Sequence, residues 1–268
     1  MIYDNNVSQE TKRLARPLCC RYLLLHGEAL SVTVLEDGEP RTLTVRWGLG
    51  VLDDGQREAL GAWPEPESGV TASRELFEDL QARGVEKVRF IVGNEREAMP
   101  AEQSMGYCGA TFLPAPGQLL RQSLAQVLPR HRILGREALC AVRDAATAHT
   151  ARAAMAELAA SPLAVTYPAV VDRWREAVTD LEPFYALGPR LRRLILAADA
   201  TAERVAETLQ RAVARKGSFQ SEAAAVAFVS DVLERADRGF RSAGPVARLS
   251  SRANLRGLGE GAALAGRH

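Results

Sequence analysis

Residues 23–49 read LLLHGEALSVTVLEDGEPRTLTVRWGL, and the alternation in this stretch decides the fold. Leu24, His26, Glu28, Leu30, Val32 and Val34 share one face of an extended chain, because successive side chains of a strand point to opposite sides. That face is mostly apolar, so it is expected to be the buried one. The predicted strand Leu23–Leu35 runs into Asp37-Gly38, a pair that favours a tight hairpin, and Arg41–Leu49 returns as a second strand. Asp54-Gly55 turns the chain again into a third strand, Arg57–Trp63.

Working outward, Pro64–Gly69 reads as a loop. Ala72–Arg83 reads as an amphipathic helix, with Leu76, Phe77 and Leu80 on one side and Gly84 ending it. Val88–Val92 and Ala110–Leu113 are predicted as the fourth and fifth strands. Three antiparallel strands, a crossover helix and then parallel additions is the order of an α/β, RNase H-like mixed sheet. From Gly117 onward the chain reads as helical, with expected helices at Leu119–Leu128, Leu134–Ala148, Ala151–Ala160, Tyr167–Leu181, Gly188–Ala198, Ala200–Lys216 and Glu222–Arg238. The expected organisation is a lead-in over 1–22, a sheet half over 23–116, an all-α insertion over 117–198, and a catalytic-type helix with C-terminal helices over 199–241. The Gly-, Arg- and Ala-rich segment 242–268 is expected to be a flexible tail.

The 268 residues suffice for one large domain or two small ones. Absence of a run of about 18 apolar residues argues against a membrane span, and MIYDNNVSQETKR has no apolar signal core, so a cytoplasmic location is expected. Cys19, Cys20, Cys108 and Cys140 form no C-x-x-C pair and, with four histidines, supply no zinc spacing. The net charge of +1 conceals an asymmetry: residues 1–118 carry a balance of −6 and residues 119–268 a balance of +7. The basic half suits a nucleic-acid surface or, equally, a set of Arg-rich solvated helices.

Three polar residues stand out. Glu28 lies on the buried face of the first strand, where a carboxylate needs a cation, a donor or a metal ion to offset desolvation. The plain alternative is a Glu bonded to His26 or to an arginine. Asn94 follows the fourth strand, where it suits a site position or a helix N-cap. Glu203 lies off the Val205/Leu209/Val213 stripe of its helix, where a solvated charged face is the competing reading.

Taken with their surroundings, these positions resemble the Mutator-type transposases of bacterial insertion sequences. The resemblance runs from about Val7 to about Arg238. It rests on Val7-Ser-Gln-Glu-Thr-Lys-Arg-Leu14 and Arg16-Pro-Leu18, on Glu28-Ala-Leu-Ser-Val32, and above all on Leu49-Gly-Val-Leu-Asp-Asp-Gly-Gln-Arg-Glu-Ala-Leu-Gly-Ala-Trp63. Leu80-Gln-Ala-Arg-Gly-Val-Glu-Lys-Val88, Val92-Gly-Asn-Glu95, Tyr167-Pro-Ala-Val-Val-Asp-Arg-Trp174, Leu181-Glu-Pro-Phe-Tyr185 and Leu191-Arg-Arg-Leu-Ile195 continue it. Counting back from Lys216-Gly-Ser-Phe219 places Glu203 on the family's catalytic Glu, with one residue inserted near Ala197–Asp199.

The resemblance implies a catalytic set of Glu28, Asn94 and Glu203, with Glu28 and Glu203 as metal ligands and Mg²⁺ as the cofactor if activity persists. Two Mg²⁺ ions held by three carboxylates would activate water or a 3′-OH at a phosphodiester. Here Glu28 stands where the family has Asp, and Asn94 removes a charge, so weakened metal binding and catalytic impairment are expected. Glu95 is the adjacent carboxylate, which only a bulge would bring onto the face of Asn94. The family's Cys-x-x-His falls on Pro114-Ala-Pro-Gly117, and its second insertion Trp on Val178. Against the family pattern, the N-terminal DNA-binding segment is expected to be missing. DNA and a second copy of the chain are the expected partners, with Trp174, Arg190, Arg192, Arg193, Arg211, Arg215 and Lys216 as DNA-contacting residues. A core-packing role is the rival for Trp174. A still-active transposase and a scaffold without nucleic acid are the alternative functions.

Overall fold

The computed structural model describes residues 16–65, 70–93 and 110–242. Three long strands open the fold: β1 (Arg21–Glu36), β2 (Glu39–Val51) and β3 (Arg57–Glu65). Each is joined antiparallel to the next. The first hairpin closes where the sequence asks for it, with Asp37 at φ 52° and Gly38 at φ 87°, the left-handed pair that a two-residue turn requires. Helix α1 (Val70–Ala82) carries the chain to β4 (Lys87–Gly93), which lies parallel to β1 with His26 opposite Val92. β5 (Thr111–Pro114) then lies parallel to β4, giving the strand order β3-β2-β1-β4-β5. The mixed sheet expected from the sequence, three antiparallel strands followed by parallel additions, is therefore observed.

The helices that follow are α2 (Pro116–Ala125), α3 (Arg132–Arg143), α4 (Ala148–Ala159), α5 (Pro162–Thr166), α6 (Pro168–Asp180), α7 (Glu182–Tyr185), α8 (Pro189–Lys216) and α9 (Glu222–Ser242). Two expectations need correction. The two helices expected over Gly188–Ala198 and Ala200–Lys216 are one continuous helix of 28 residues, α8. No Gly or Pro interrupts the Ala-rich junction, and Asp199, a poor helix former there, has one carboxylate oxygen bonded outside the helix, to the Gly117 N–H. The helical half also contains a strand, β6 (Ser218–Phe219), which pairs parallel with Thr33 and Val34 of β1. Gly217, at φ 82°, turns the chain out of α8 and lets the buried Phe219 reach the sheet. Asn94, Glu95 and the segment 243–268 lie outside the described residues.

Alternation along β1 splits the core. Leu25 joins Leu60, Phe77, Leu80 and Val88 beneath α1. Leu24 joins Phe90, Val92 and Leu113 in a cluster with the helices from α2 to the first half of α8. Leu30, Val32 and Val34 join β2 and α9 in another cluster with the second half of α8. Beside a register shift between β2 and β3 at Gly48/Leu49, Asp237 of α9 accepts the buried N–H of Ala59 at 2.7 Å and pairs with Arg16 at 3.2 Å. Asp237→Ala is expected to lower stability by about 1–3 kcal/mol, because the Ala59 N–H is left without an acceptor. A urea titration should show an earlier midpoint with an unchanged slope.

Candidate functional site

A polar seam separates the two clusters on one face of the sheet. Along β1 the seam is His26 and Glu28, between Leu24 on one side and Leu30 on the other. Along α8 it is Asp199, between Ala198 of the first cluster and Ala202 of the second. His26 and Asp199 are 1% and 0% exposed, so their polar atoms must find partners within the protein.

Asp199 meets three groups. One carboxylate oxygen, Oδ2, accepts the N–H of Gly117 in the first turn of α2, where the helix dipole favours an anion. A side chain at position 117 would not fit, since a Cβ there would stand 2.9 Å from the Asp199 carboxyl carbon. The other oxygen, Oδ1, lies 3.4 Å from His26 Nε2, which is long for a hydrogen bond, and 3.6 Å from Nη1 of Arg121. Arg121, one turn along α2 from Gly117, also lies 3.7 Å from Glu28 Oε1, and its Nε is 3.1 Å from Glu203 Oε1. One guanidinium thus faces three carboxylates. Even so, both ring nitrogens of His26, Oε1 of Glu28 and Oδ1 of Asp199 are buried without a hydrogen-bond partner among the described residues.

The two inner carboxyls titrate apart. Burial pushes Glu28 up, with His26 and Arg121 opposing the rise and Asp199 and Glu203 adding to it. Burial also pushes Asp199 up, but His26, the Gly117 N–H and Arg121 outweigh it and hold Asp199 below the usual carboxylate range. A cavity of about 300 Å³, lined in part by His26, Glu28, Gly93, Phe112, Gln118 and Gln122, adjoins the seam.

The structure brings Glu28 and Glu203 to one guanidinium, that of Arg121, while Asn94 falls outside the described residues. Asp199 and Arg121 were not singled out from sequence. The available signal for Asp199 was its place one turn before Glu203. Trp174 is corrected from a base-stacking to a core residue: it is fully buried, and its indole N–H donates to Ser123 Oγ at 2.8 Å. Arg192 is half-buried and donates to the Ala145 carbonyl at 2.7 Å. Arg190, Arg193, Arg211, Arg215 and Lys216 are exposed along α8.

The family described as "Transposase, Mutator family" matches residues 5–243, nearly the whole sequence. This chain belongs to the Mutator family of transposases. The "Transposase for insertion sequence element ISRM3" of Rhizobium meliloti (strain 1021) is 28% identical over 228 residues, covering 85% of this chain and 57% of the relative. A "Probable transposase for insertion sequence element ISRM3-like" of Sinorhizobium fredii (strain NBRC 101917 / NGR234) matches over the same share at 28%. A "Probable transposase for insertion sequence element" of Corynebacterium diphtheriae is 26% identical over 205 residues, 76% of this chain and 60% of the relative. The chain therefore spans less than two thirds of the length of these relatives.

Trp174→Ala is expected to cost about 3–5 kcal/mol of stability, the loss that follows removal of a large buried aromatic. Thermal unfolding measures this directly. A variant of unchanged stability that loses only DNA affinity would restore the base-stacking role.

Proposed function

We propose that this chain serves DNA transposition or recombination as an RNase H-like core that binds DNA and whose phosphodiester chemistry is impaired. Membership of the Mutator family and a sheet ordered β3-β2-β1-β4-β5, with Glu28 on its central strand, support the fold and the process. The observation that carries the impairment is Arg121, whose guanidinium lies 3.1–3.7 Å from Glu203, Asp199 and Glu28. A two-ion site needs carboxylate oxygens free to bridge two dications. Here a guanidinium already faces those oxygens, and Asn94 offers a neutral amide where a third carboxylate is expected. Glu28, Asn94 and Glu203 thus fit a pair of Mg²⁺ ions poorly. A transposase that remains active is favoured by one feature only: Asp199, one turn from Glu203, supplies a third carboxylate from another direction.

The DNA-binding part of the reading rests on α8. Arg193 and Arg211 are 18 residues apart, which is five helical turns, so they project to the same side about 27 Å apart. Arg190 flanks the first, and Arg215 and Lys216 flank the second. Two exposed cationic groups therefore bracket the acidic seam at the middle of the helix. Arg192 contributes to the helix contacts instead, through the Ala145 carbonyl. Assembly with a second copy of the chain belongs to the same proposal. Among the described residues no helix is long and apolar enough to cross a membrane.

Binding to duplex DNA is expected to weaken steeply between about 50 and 200 mM salt, and Arg193→Ala with Arg211→Ala should reduce the salt slope by about 2. A fluorescence titration checks this. An absence of binding at the lower salt would favour the scaffold reading, and efficient strand transfer with Mg²⁺ would overturn the impairment.

A further inference from the structure

The geometry points to a single-ion site formed by His26, Glu28 and Asp199, suited to a first-row transition ion such as Zn²⁺ and not to Mg²⁺, with Arg121 as its built-in competitor. The site goes beyond the DNA-binding reading and does not depend on it. Each of the three residues offers one ligand atom, and these atoms all lie within 4.8 Å of one another. Ligands about 2.1 Å from a common ion stand about 3–4 Å apart, so a contraction of about an ångström completes the set.

The donors are also the right ones to be waiting. His26 is almost wholly buried and neither ring nitrogen has a hydrogen-bond partner among the described residues. Asp199 is wholly buried, and while Oδ2 is held by the Gly117 N–H, Oδ1 has no hydrogen bond. Glu28 Oε1 is buried in the same state. Buried polar atoms without hydrogen bonds that lie this close together are costly, and the Arg121 guanidinium, 3.6–3.7 Å away, offsets the two carboxylates only through charge. Gly117 matters indirectly: by fixing Oδ2, it leaves Oδ1 aimed at His26.

The donor set selects the ion. One imidazole nitrogen and two carboxylate oxygens suit Zn²⁺ and similar transition ions, whereas Mg²⁺ prefers an octahedron of oxygens and keeps its waters. Three protein ligands also leave a fourth position open, the arrangement of zinc sites that are not purely structural. Glu203 does not belong to this set, since its oxygen faces Nε of Arg121 on the solvent side, and its side chain is 34% exposed. Arg121 faces the same two inner carboxylates at 3.6–3.7 Å, so ion and guanidinium exclude each other by charge. Its side chain is 28% exposed and has a path outward toward Glu203 and solvent.

The test is calorimetric titration of the full chain with Zn²⁺, with and without a hundredfold excess of Mg²⁺. It is carried out in a Cys19→Ser, Cys20→Ser background, because these two cysteines are exposed thiols that bind zinc on their own account. One Zn²⁺ per chain, undisturbed by Mg²⁺, is expected. Arg121→Gln should tighten binding about tenfold, and His26→Gln should weaken it at least tenfold, the usual scale for altering a metal site. Glu157→Gln, an exposed position on α4 outside the site, should leave the affinity unchanged, and urea unfolding of His26→Gln separates a fold defect from lost ligation. Co²⁺ in place of Zn²⁺ should give a visible absorption band that His26→Gln alters. Absence of Zn²⁺ binding in both the parent and Arg121→Gln overturns the site. So does displacement of Zn²⁺ by Mg²⁺, a stoichiometry of two, or loss of binding in Glu203→Gln with retention in His26→Gln.

Discussion

One buried carboxylate sets the arrangement of the elements around it. From the middle of α8, the Asp199 carboxylate accepts the first-turn N–H of Gly117 on α2 and faces His26 on β1 and Arg121 on α2. The N-terminus of a helix has free N–H groups and a partial positive charge, so an acidic side chain from a neighbouring element is a natural partner. The approach is close because position 117 has no side chain. Loss of this contact would strand the Gly117 donor and leave Arg121 with Glu203 and Glu28 alone, which is why the elements hold one register.

The same arrangement explains why two acids a few ångströms apart behave differently. Asp199 has a backbone donor, an imidazole and a guanidinium near it, and its charge survives burial. Glu28 has charges nearby but no donor on its buried oxygen, so desolvation prevails and its proton is held more tightly. Position in the network, and not residue type, separates the two.

The sheet was legible because strand alternation and two Asp-Gly turns are local signals, and all five long or medium strands lie within about two residues of where alternation puts them. Glu28 was legible for the same reason: a charge on an apolar face conflicts with its surroundings. The continuity of α8 through Asp199 was not legible, because the hydrogen bond that accommodates this poor helix former comes from Gly117 on α2. Arg121 was invisible because an arginine on an amphipathic helix looks solvated until the three carboxylates around it are known. β6 has two residues, too few for any period, and exists because Phe219 finds a buried place beside Phe228. Trp174 admitted both an exposed and a buried reading, and only the contact with Ser123 decides between them.

α8 has a mechanical consequence beyond its side chains. Leu194, Ile195 and Ala198 are rooted in one apolar cluster, and Val205, Leu209 and Val213 in the other. A helix of this length is a stiff rod of about 42 Å. Melting either cluster strips one end of that rod and exposes the polar seam at its centre, which has no cheap arrangement in a half-open molecule. The seam therefore acts as a cooperativity device: it penalises partial unfolding and couples the sheet-side and helix-side cores into one transition.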